Sequence, residues 1–251
     1  MTADRPQIVA HRGASAEAPE NTLAAYRRAL AIGVDAVELD VHLSADAELV
    51  VIHDFMLGRT ANGSGLVGDV PFAVLRRLDA GRWFGDTFAG ELIPALAEAL
   101  DTLRRVRVII EIKNGPVYYR GIADRVVTEV RNARHPAVTV SSFDHPVLLD
   151  VEALAPELPT AVLYSARPID PIRLARDAGA EILHPQWTHV RADGVAVAHA
   201  AGLRVETWTV DDPRDLARLV DTGVDGIISN YPDRLRTVLA QRGLSLPPPG
   251  F

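Results

Sequence analysis

The sequence predicts an α/β fold, a (β/α)8 TIM barrel with an inserted hairpin and loop segment after the second strand. Three observations predict it. Short β-branched apolar runs alternate with amphipathic stretches of helical period along the whole chain. Eight of those runs have the spacing of strands in a parallel sheet. The length, 251 residues, is that of one such barrel, and no Pro/Gly/Ser-rich linker divides it. Residues 1–246 are therefore read as a single domain, followed by a flexible tail, 247–251, whose PPPG precedes Phe251.

The first strand-like run, Gln7 to Ala10, leads through the turn His11-Arg12-Gly13 into a helix from Asn21 to Ile32. Asn21 is the expected N-cap and Gly33 the left-handed C-terminal cap. The second run is Asp35 to Val41. A further run, Leu49 to Ile52, follows too closely for a parallel crossover, which takes a dozen or more residues, so it must fold back as an antiparallel hairpin. A turn near Ser44 to Ala47 sets Glu38 opposite His53 and Asp40 opposite Val51, all on one face. Residues 55–91 are long for a connection. They carry a short helical stretch, Pro71 to Leu78, and the aromatics Trp83, Phe84 and Phe88, and are read as an insertion over the barrel mouth.

The regular alternation then resumes. Helices over Ile93 to Leu103, Tyr118 to Asn132, Asp144 to Leu154, Pro171 to Ala178, Ala192 to Ala201, Pro213 to Thr222 and Pro232 to Arg242 interleave with strands. Those strands cover Val106 to Ile112, Ala137 to Ser141, Thr160 to Tyr164, Glu181 to His184, Arg204 to Val210 and Asp225 to Ser229. Gly179, Gly202 and Gly223 stand where helices end.

Composition excludes several chemistries. With no cysteine there is no disulfide, thiolate metal site or cysteine nucleophile, so any metal must sit on oxygen or imidazole. A net charge of −7 without basic clusters argues against nucleic-acid binding. No run approaches a membrane span, so no stable membrane association is expected. The N-terminus lacks a basic segment followed by an apolar one, which predicts a cytoplasmic location. Of 26 basic residues, only Lys113 is a lysine.

Active-site groups of such barrels stand at the carboxyl ends of the strands. His11 and Arg12 follow the first strand, Glu38 and Asp40 end the second, and Glu111 and Lys113 end the next. Trp208 and Asn230 end the last two. Residues two apart in a strand share a face, so Glu38 with Asp40 and Glu111 with Lys113 project together. An isolated acid would pair with one of the many arginines. Three converging carboxylates instead suit a hard divalent cation, with Arg12 and Lys113 adding positive charge for a phosphate. His11 and His53 together supply groups that titrate near neutrality, one to take a proton and one to give it. His42 is expected to be solvated, and Asp54 to be a turn residue pointing away from His53. Trp208 is either a core aromatic or a wall for the organic part of a substrate. His184 and His189 flank the end of the sixth strand as possible pocket residues.

These segments resemble the glycerophosphodiester phosphodiesterases, within the wider group of phospholipase C-like barrel phosphodiesterases. The matching motifs are HRG at 11–13, PENT at 19–22, ELDV at 38–41, VVIHD at 50–54, the stretches from Gly63 and Asp79, EIK at 111–113, TWTVD from Thr207 and GVDGIISNYPD from Gly223. They keep family order over nearly the whole chain; Asp211 stands where the family often has Asn. The resemblance implies metal-dependent hydrolysis of a glycerophosphodiester, a small-molecule substrate, to sn-glycerol 3-phosphate and an alcohol. It implies Glu38, Asp40 and Glu111 as ligands of Mg²⁺ or Ca²⁺, with Mn²⁺ also suited. It further implies His11 and His53 as the acid/base pair, with Arg12 and Lys113 contacting phosphate. The competing readings are a lysophospholipase D-like or sphingolipid phosphodiesterase, and a noncatalytic phosphate-ester binding protein.

Overall fold

The computed structural model describes residues 5–249. Eight parallel strands close into a barrel in the order predicted. They are β1 (Gln7–His11), β2 (Ala36–Leu43), β4 (Arg107–Ile112), β5 (Val138–Ser142), β6 (Thr160–Tyr164), β7 (Ile182–Pro185), β8 (Arg204–Thr207) and β9 (Gly226–Ser229), with β1 paired to both β2 and β9. The added strand β3 (Leu49–Val51) runs antiparallel to β2. β1 stops pairing at His11↔Glu38, whereas β2 continues to Leu43; β3 occupies the edge so vacated, and its own outer side meets Pro94 and Ala95.

The helices are α1 (Leu23–Ile32), α2 (Phe72–Leu75), α3 (Leu96–Thr102), α4 (Ile122–Ala133), α5 (His145–Leu154), α6 (Pro171–Asp177), α7 (Ala192–Ala200), α8 (Pro213–Val220) and α9 (Pro232–Gln241). Asp170 and Asp212 cap α6 and α8 through their side chains, each just ahead of a proline at the first helical position, where the missing N–H costs nothing. Strand residues facing the helices, such as Ile8, Val37, Ile110 and Val162, pack with helix residues such as Leu235 to form the main core. The insertion and the hairpin share a separate small core of Val50, Ile52, Leu57, Val67, Leu75 and Ile93. Inside the barrel, Val9, Ala36, Ile109 and Ile228 pack together, while Arg107 reaches across to Glu206 at 2.9 Å.

Three expectations outside the site's cavity need correction. The hairpin pairs Val41 with Val51, one residue off the predicted register, so Asp40 stands against Ile52 and not Val51. The cause is a three-residue loop, with Ser44 paired to Glu48 and Ala47 at φ 60°, where a four-residue turn was assumed. The N-cap of α1 is Thr22, whose hydroxyl accepts from Ala25 N; Asn21 lies one residue outside the helix with φ 57°. His42 is buried, not solvated: its Nε2 donates to the carbonyl of His53 at 2.9 Å, and the Tyr119 hydroxyl lies 3.1 Å from its Nδ1. At the C-terminus, Arg236 donates to the carbonyl of Pro247, placing that residue near Gly33; residues 250 and 251 of the expected flexible tail lie outside the described residues.

Candidate active site

The carboxyl ends of β1, β2 and β4 bring the predicted charged residues together. Glu38, Asp40 and Glu111 are buried and each offers an oxygen within 4.8 Å of the others. Asp40 and Glu111 are direct partners across the β2–β4 ladder, so their approach is fixed by strand register. Lys113, two residues beyond Glu111, places Nζ 2.5 Å from Glu111 Oε1 and 3.1 Å from Asp40 Oδ1.

His11 and Arg12 leave β1 through a tight turn. Arg12 has φ 56°, and Gly13, at φ 83°, lets the chain pass so close to α1 that a Cβ there would sit 2.7 Å from Ala25. The Arg12 side chain spans two acids, Nη1 to Glu20 Oε1 at 2.8 Å and Nε to Asp40 Oδ2 at 3.1 Å, and its backbone N–H donates to Glu38 Oε2. Asn230 Nδ2 donates to Asp211, which turns Asn230 Oδ1 toward His11 Nδ1 at 2.7 Å. His11 Nδ1 therefore carries the proton, and Nε2 is left 3.9 Å from Glu38 as an acceptor.

His53 reaches the same cavity by a different route from the one predicted. β3 ends at Val51, so strand alternation no longer governs residue 53. Asp54 accepts from His53 Nδ1 at 2.6 Å, contrary to the expectation that it points away, and leaves Nε2 free. Arg59, from the insertion, braces Asp54 in turn.

The charges are unevenly matched. Burial pushes Asp40 up, but Lys113 and Arg12 overcome it and hold its carboxyl well below the usual range. Burial, with Asp40 and Glu111 nearby, drives Glu38 well above its ordinary value. Burial pushes Glu111 up to about 7, Asp40 adding to the rise and Lys113 opposing it. Burial, and then the charge of Arg12, lowers His11 to about 4, so it is neutral at pH 7 and able to accept a proton. His53 is lowered by burial, partly offset by Asp40. Two of three carboxyls thus resist ionisation as the protein stands, and Glu38 Oε1 is buried with no hydrogen-bond partner. An all-oxygen donor set that includes the orphaned Glu38 Oε1 fits a divalent cation, whose charge would favour the ionised form of all three acids.

A cavity of about 90 Å³ lies over this cluster, lined by His11, Glu38, His53, Glu111, Lys113, Ser141, His184 and Trp208. A groove of about 570 Å³ shares His53, Glu111, Lys113 and Phe143 with it and runs out past Phe55 and Tyr118. Trp208 is both a core aromatic and a lining residue of the cavity. It packs against the inner barrel core and edge-on to Phe143 at 5.4 Å, donates Nε1 to the His184 carbonyl, and presents its remaining surface to the cavity.

The glycerophosphoryl diester phosphodiesterase family model matches residues 11–234. The chain belongs to this family. A glycerophosphodiester phosphodiesterase of Caldanaerobacter subterraneus is 39% identical over 239 residues, covering 94% of this chain and 98% of that one. One from Bacillus subtilis is 32% identical, covering 95% and 88%. Among solved structures, an Oleispira antarctica phosphodiesterase in complex with the product sn-glycerol-3-phosphate superposes with a TM-score of 0.87 at 32% identity, over 94% of this chain and 97% of that one. A glycerophosphodiester phosphodiesterase from Agrobacterium tumefaciens gives 0.82 at 34%, over 92% and 99%.

Within this family member, sequence reasoning overlooked the residues that hold the obvious ones in place. Asn21, taken as a cap, donates Nδ2 to Asp40 Oδ2 at 2.8 Å. Its signal was a polar residue directly after Glu20, in a loop whose path no periodicity specifies. His184, expected as a possible pocket residue, lines the cavity, and it meets Glu206, an acid remote in sequence, at 3.2 Å across the β7–β8 pair. His189 instead donates to the Ser165 carbonyl and faces away.

Proposed function

We propose that the protein hydrolyses glycerophosphodiesters to sn-glycerol 3-phosphate and an alcohol, with a divalent cation, Mg²⁺ or Ca²⁺ and alternatively Mn²⁺, held by Glu38, Asp40 and Glu111. One observation carries the reading: two histidines, each with Nδ1 tied to an acceptor and Nε2 free, share one cavity with a buried three-carboxylate cluster. Binding alone needs neither histidine. Glu38, Asp40 and Glu111 would hold the cation, whose charge would polarise the phosphoryl group. Arg12 and Lys113 line the same cavity and supply positive charge for a phosphate. His11, neutral at pH 7, takes the proton of the attacking hydroxyl, and His53, protonated on Nε2 with Asp54 balancing the imidazolium charge, gives one to the departing alcohol oxygen. One water is consumed, entering directly or opening a cyclic phosphate formed by the substrate's own glycerol hydroxyl.

The named activity of the relatives and the product found in the Oleispira enzyme support this substrate. The 570 Å³ groove offers room for a variable alcohol beside the phosphate site, and Trp208 and Phe143 offer apolar walls. Residues 55–91 act as a cover over the mouth; Phe55 in the groove wall and Arg59 against Glu20 support this. No helix among the described residues is long and apolar enough to cross a membrane. The reading places the reaction in the cytoplasm on water-soluble diesters. The alternative is a lysophospholipase D-like role: Phe84 packs edge-on against Trp83 and Phe88, and Trp83 remains 43% exposed, so activity on micelles but not on glycerophosphocholine would decide for it.

The test is a coupled assay for sn-glycerol 3-phosphate on a panel of glycerophosphodiesters, with EDTA and metal add-back. Turnover that EDTA abolishes and a divalent ion restores supports the reading. Tight binding without turnover in any divalent metal would establish the noncatalytic alternative.

A further inference from the structure

Arg59 belongs to the insertion, yet its guanidinium is the point at which three loops meet. On one side Nε lies 2.5 Å and Nη2 3.2 Å from the two oxygens of Asp54; on the other, Nη1 and Nη2 lie 3.0 and 2.8 Å from the two oxygens of Glu20. Each acid holds one of the site's working side chains. Asp54 accepts from His53 Nδ1 at 2.6 Å, and Glu20 accepts from Arg12 Nη1 at 2.8 Å. Glu20 comes from the loop after β1, and Asp54 follows β3.

We propose that Arg59 is a positioning residue, a single fork that sets the proton donor His53 and the phosphate contact Arg12 at a fixed distance from one another when the insertion is seated. The proposal rests on the phosphodiesterase reading above. A guanidinium can hold two carboxylates bidentately at once, and a lysine ammonium cannot. Nearly half of the Arg59 side chain is exposed, at 45%, so these pairs contribute little to global stability. Their geometry, with both acids fixed by a second partner, serves orientation instead. The two arms have separable effects. Loss of the Asp54 arm frees the His53 ring and affects departure of the alcohol; loss of the Glu20 arm frees Arg12 and affects substrate binding.

The experiment compares wild type with Arg59→Ala, Arg59→Lys, Asp54→Asn and Glu20→Gln on glycerophosphocholine and on the 4-nitrophenyl ester of glycerol 3-phosphate. A nitrophenolate departs without a proton from His53. Arg59→Ala is expected to lower kcat on the choline ester about 10–100-fold, as loss of other orienting partners does. The nitrophenyl ester should lose several-fold less, KM should rise on both, and Tm should stay close to wild type. Arg59→Lys recovers little, Asp54→Asn reproduces the leaving-group effect at unchanged KM, and Glu20→Gln raises KM alone. Equal losses on both esters, or unchanged kinetics, overturn the proposal. The His53 Nδ1–H proton resonance, read by NMR, decides independently of turnover. Arg59→Ala should shift or broaden it, and an unaltered resonance overturns the proposal even if the wild type hydrolyses neither ester, an outcome that by itself refutes only the functional reading.

Discussion

Asn21 donates its side-chain amide to Asp40 at 2.8 Å from a backbone held in the left-handed region at φ 57°. Asparagine tolerates that conformation better than most residues, so one side chain meets both the conformational and the hydrogen-bonding requirement. Asn21→Ala removes a buried bond to a charged acceptor and leaves a less tolerant residue at positive φ. The expected loss is about 2–4 kcal/mol. Urea unfolding of the metal-free protein measures it, and a loss below about 1 kcal/mol would show that Asp40 does not depend on this contact.

Lys113 inserts a compact ammonium between Glu111 and Asp40, 86% of its side chain being shielded from solvent (exposure 14%). A planar guanidinium in the same gap must displace one of the acids. Lys113→Arg is expected to reduce kcat/KM about 10–100-fold despite keeping the charge. Steady-state kinetics alongside Lys113→Met separates shape from charge; equal activity of wild type and Lys113→Arg would show that charge alone matters.

Metal affinity should depend on pH. In the metal-free protein, Glu111 is pushed up to about 7 by burial, and Glu38 is held well above its ordinary value by burial and its acidic neighbours. A cation must displace those protons, so apparent affinity rises with pH through about 7. The sign for stability is opposite without metal. The unfolded chain ionises these groups first, near 4.5, so metal-free stability falls as pH rises from there toward 7. Calorimetric titration and thermal melts at pH 6 and 8 check both slopes, and pH-independent affinity would contradict the assignment of Glu111 as a ligand.

His11→Ala and His53→Ala should each lower turnover by about 10²–10⁴-fold with circular dichroism unchanged. Near-normal turnover in both variants would remove the histidines from the chemistry.

Beneath the site, Glu206 accepts from Arg107 at 2.9 and 3.0 Å and lies 3.2 Å from His184 Nε2. Burial pushes its carboxyl up, yet Arg107 and His184 outweigh this and bring it down to about 2. The stabilisation is fully present above the unfolded value of 4.5 and disappears as pH falls from there toward 2. Glu206→Gln leaves Arg107 facing a neutral partner in the barrel interior and is expected to cost about 3–5 kcal/mol at pH 7. Its stability should also lose that acid-dependent step, and parallel acid-denaturation curves for the two proteins would refute the account.

What the sequence made legible follows from periodicity. Strands buried on both faces read as apolar runs, so all eight barrel strands were found, and parity within a strand put Glu38 beside Asp40 and Glu111 beside Lys113. Groups whose partners come from loops were not legible. Asp54 was assigned by strand parity after the strand had ended, and Asn21 by capping preference alone. The hairpin register turned on whether the loop holds three residues or four, a distinction made by Asp46, which accepts from Ser44 Oγ and from the backbone N–H of Phe72. Phe72 is 26 residues away, and nothing local in the chain announces that contact.

The small core of Val50, Ile52, Leu57, Val67, Leu75 and Ile93 gives the site a divided foundation. The carboxylates stand on barrel strands whose packing runs through the whole molecule, whereas His53 and Arg59 are carried by a unit with its own few apolar contacts. Such a unit can open while the barrel stays closed. Hydrogen exchange in residues 49–93 then becomes a measure of how often the site is complete, and temperature would set the fraction of competent molecules well before it unfolds any of them.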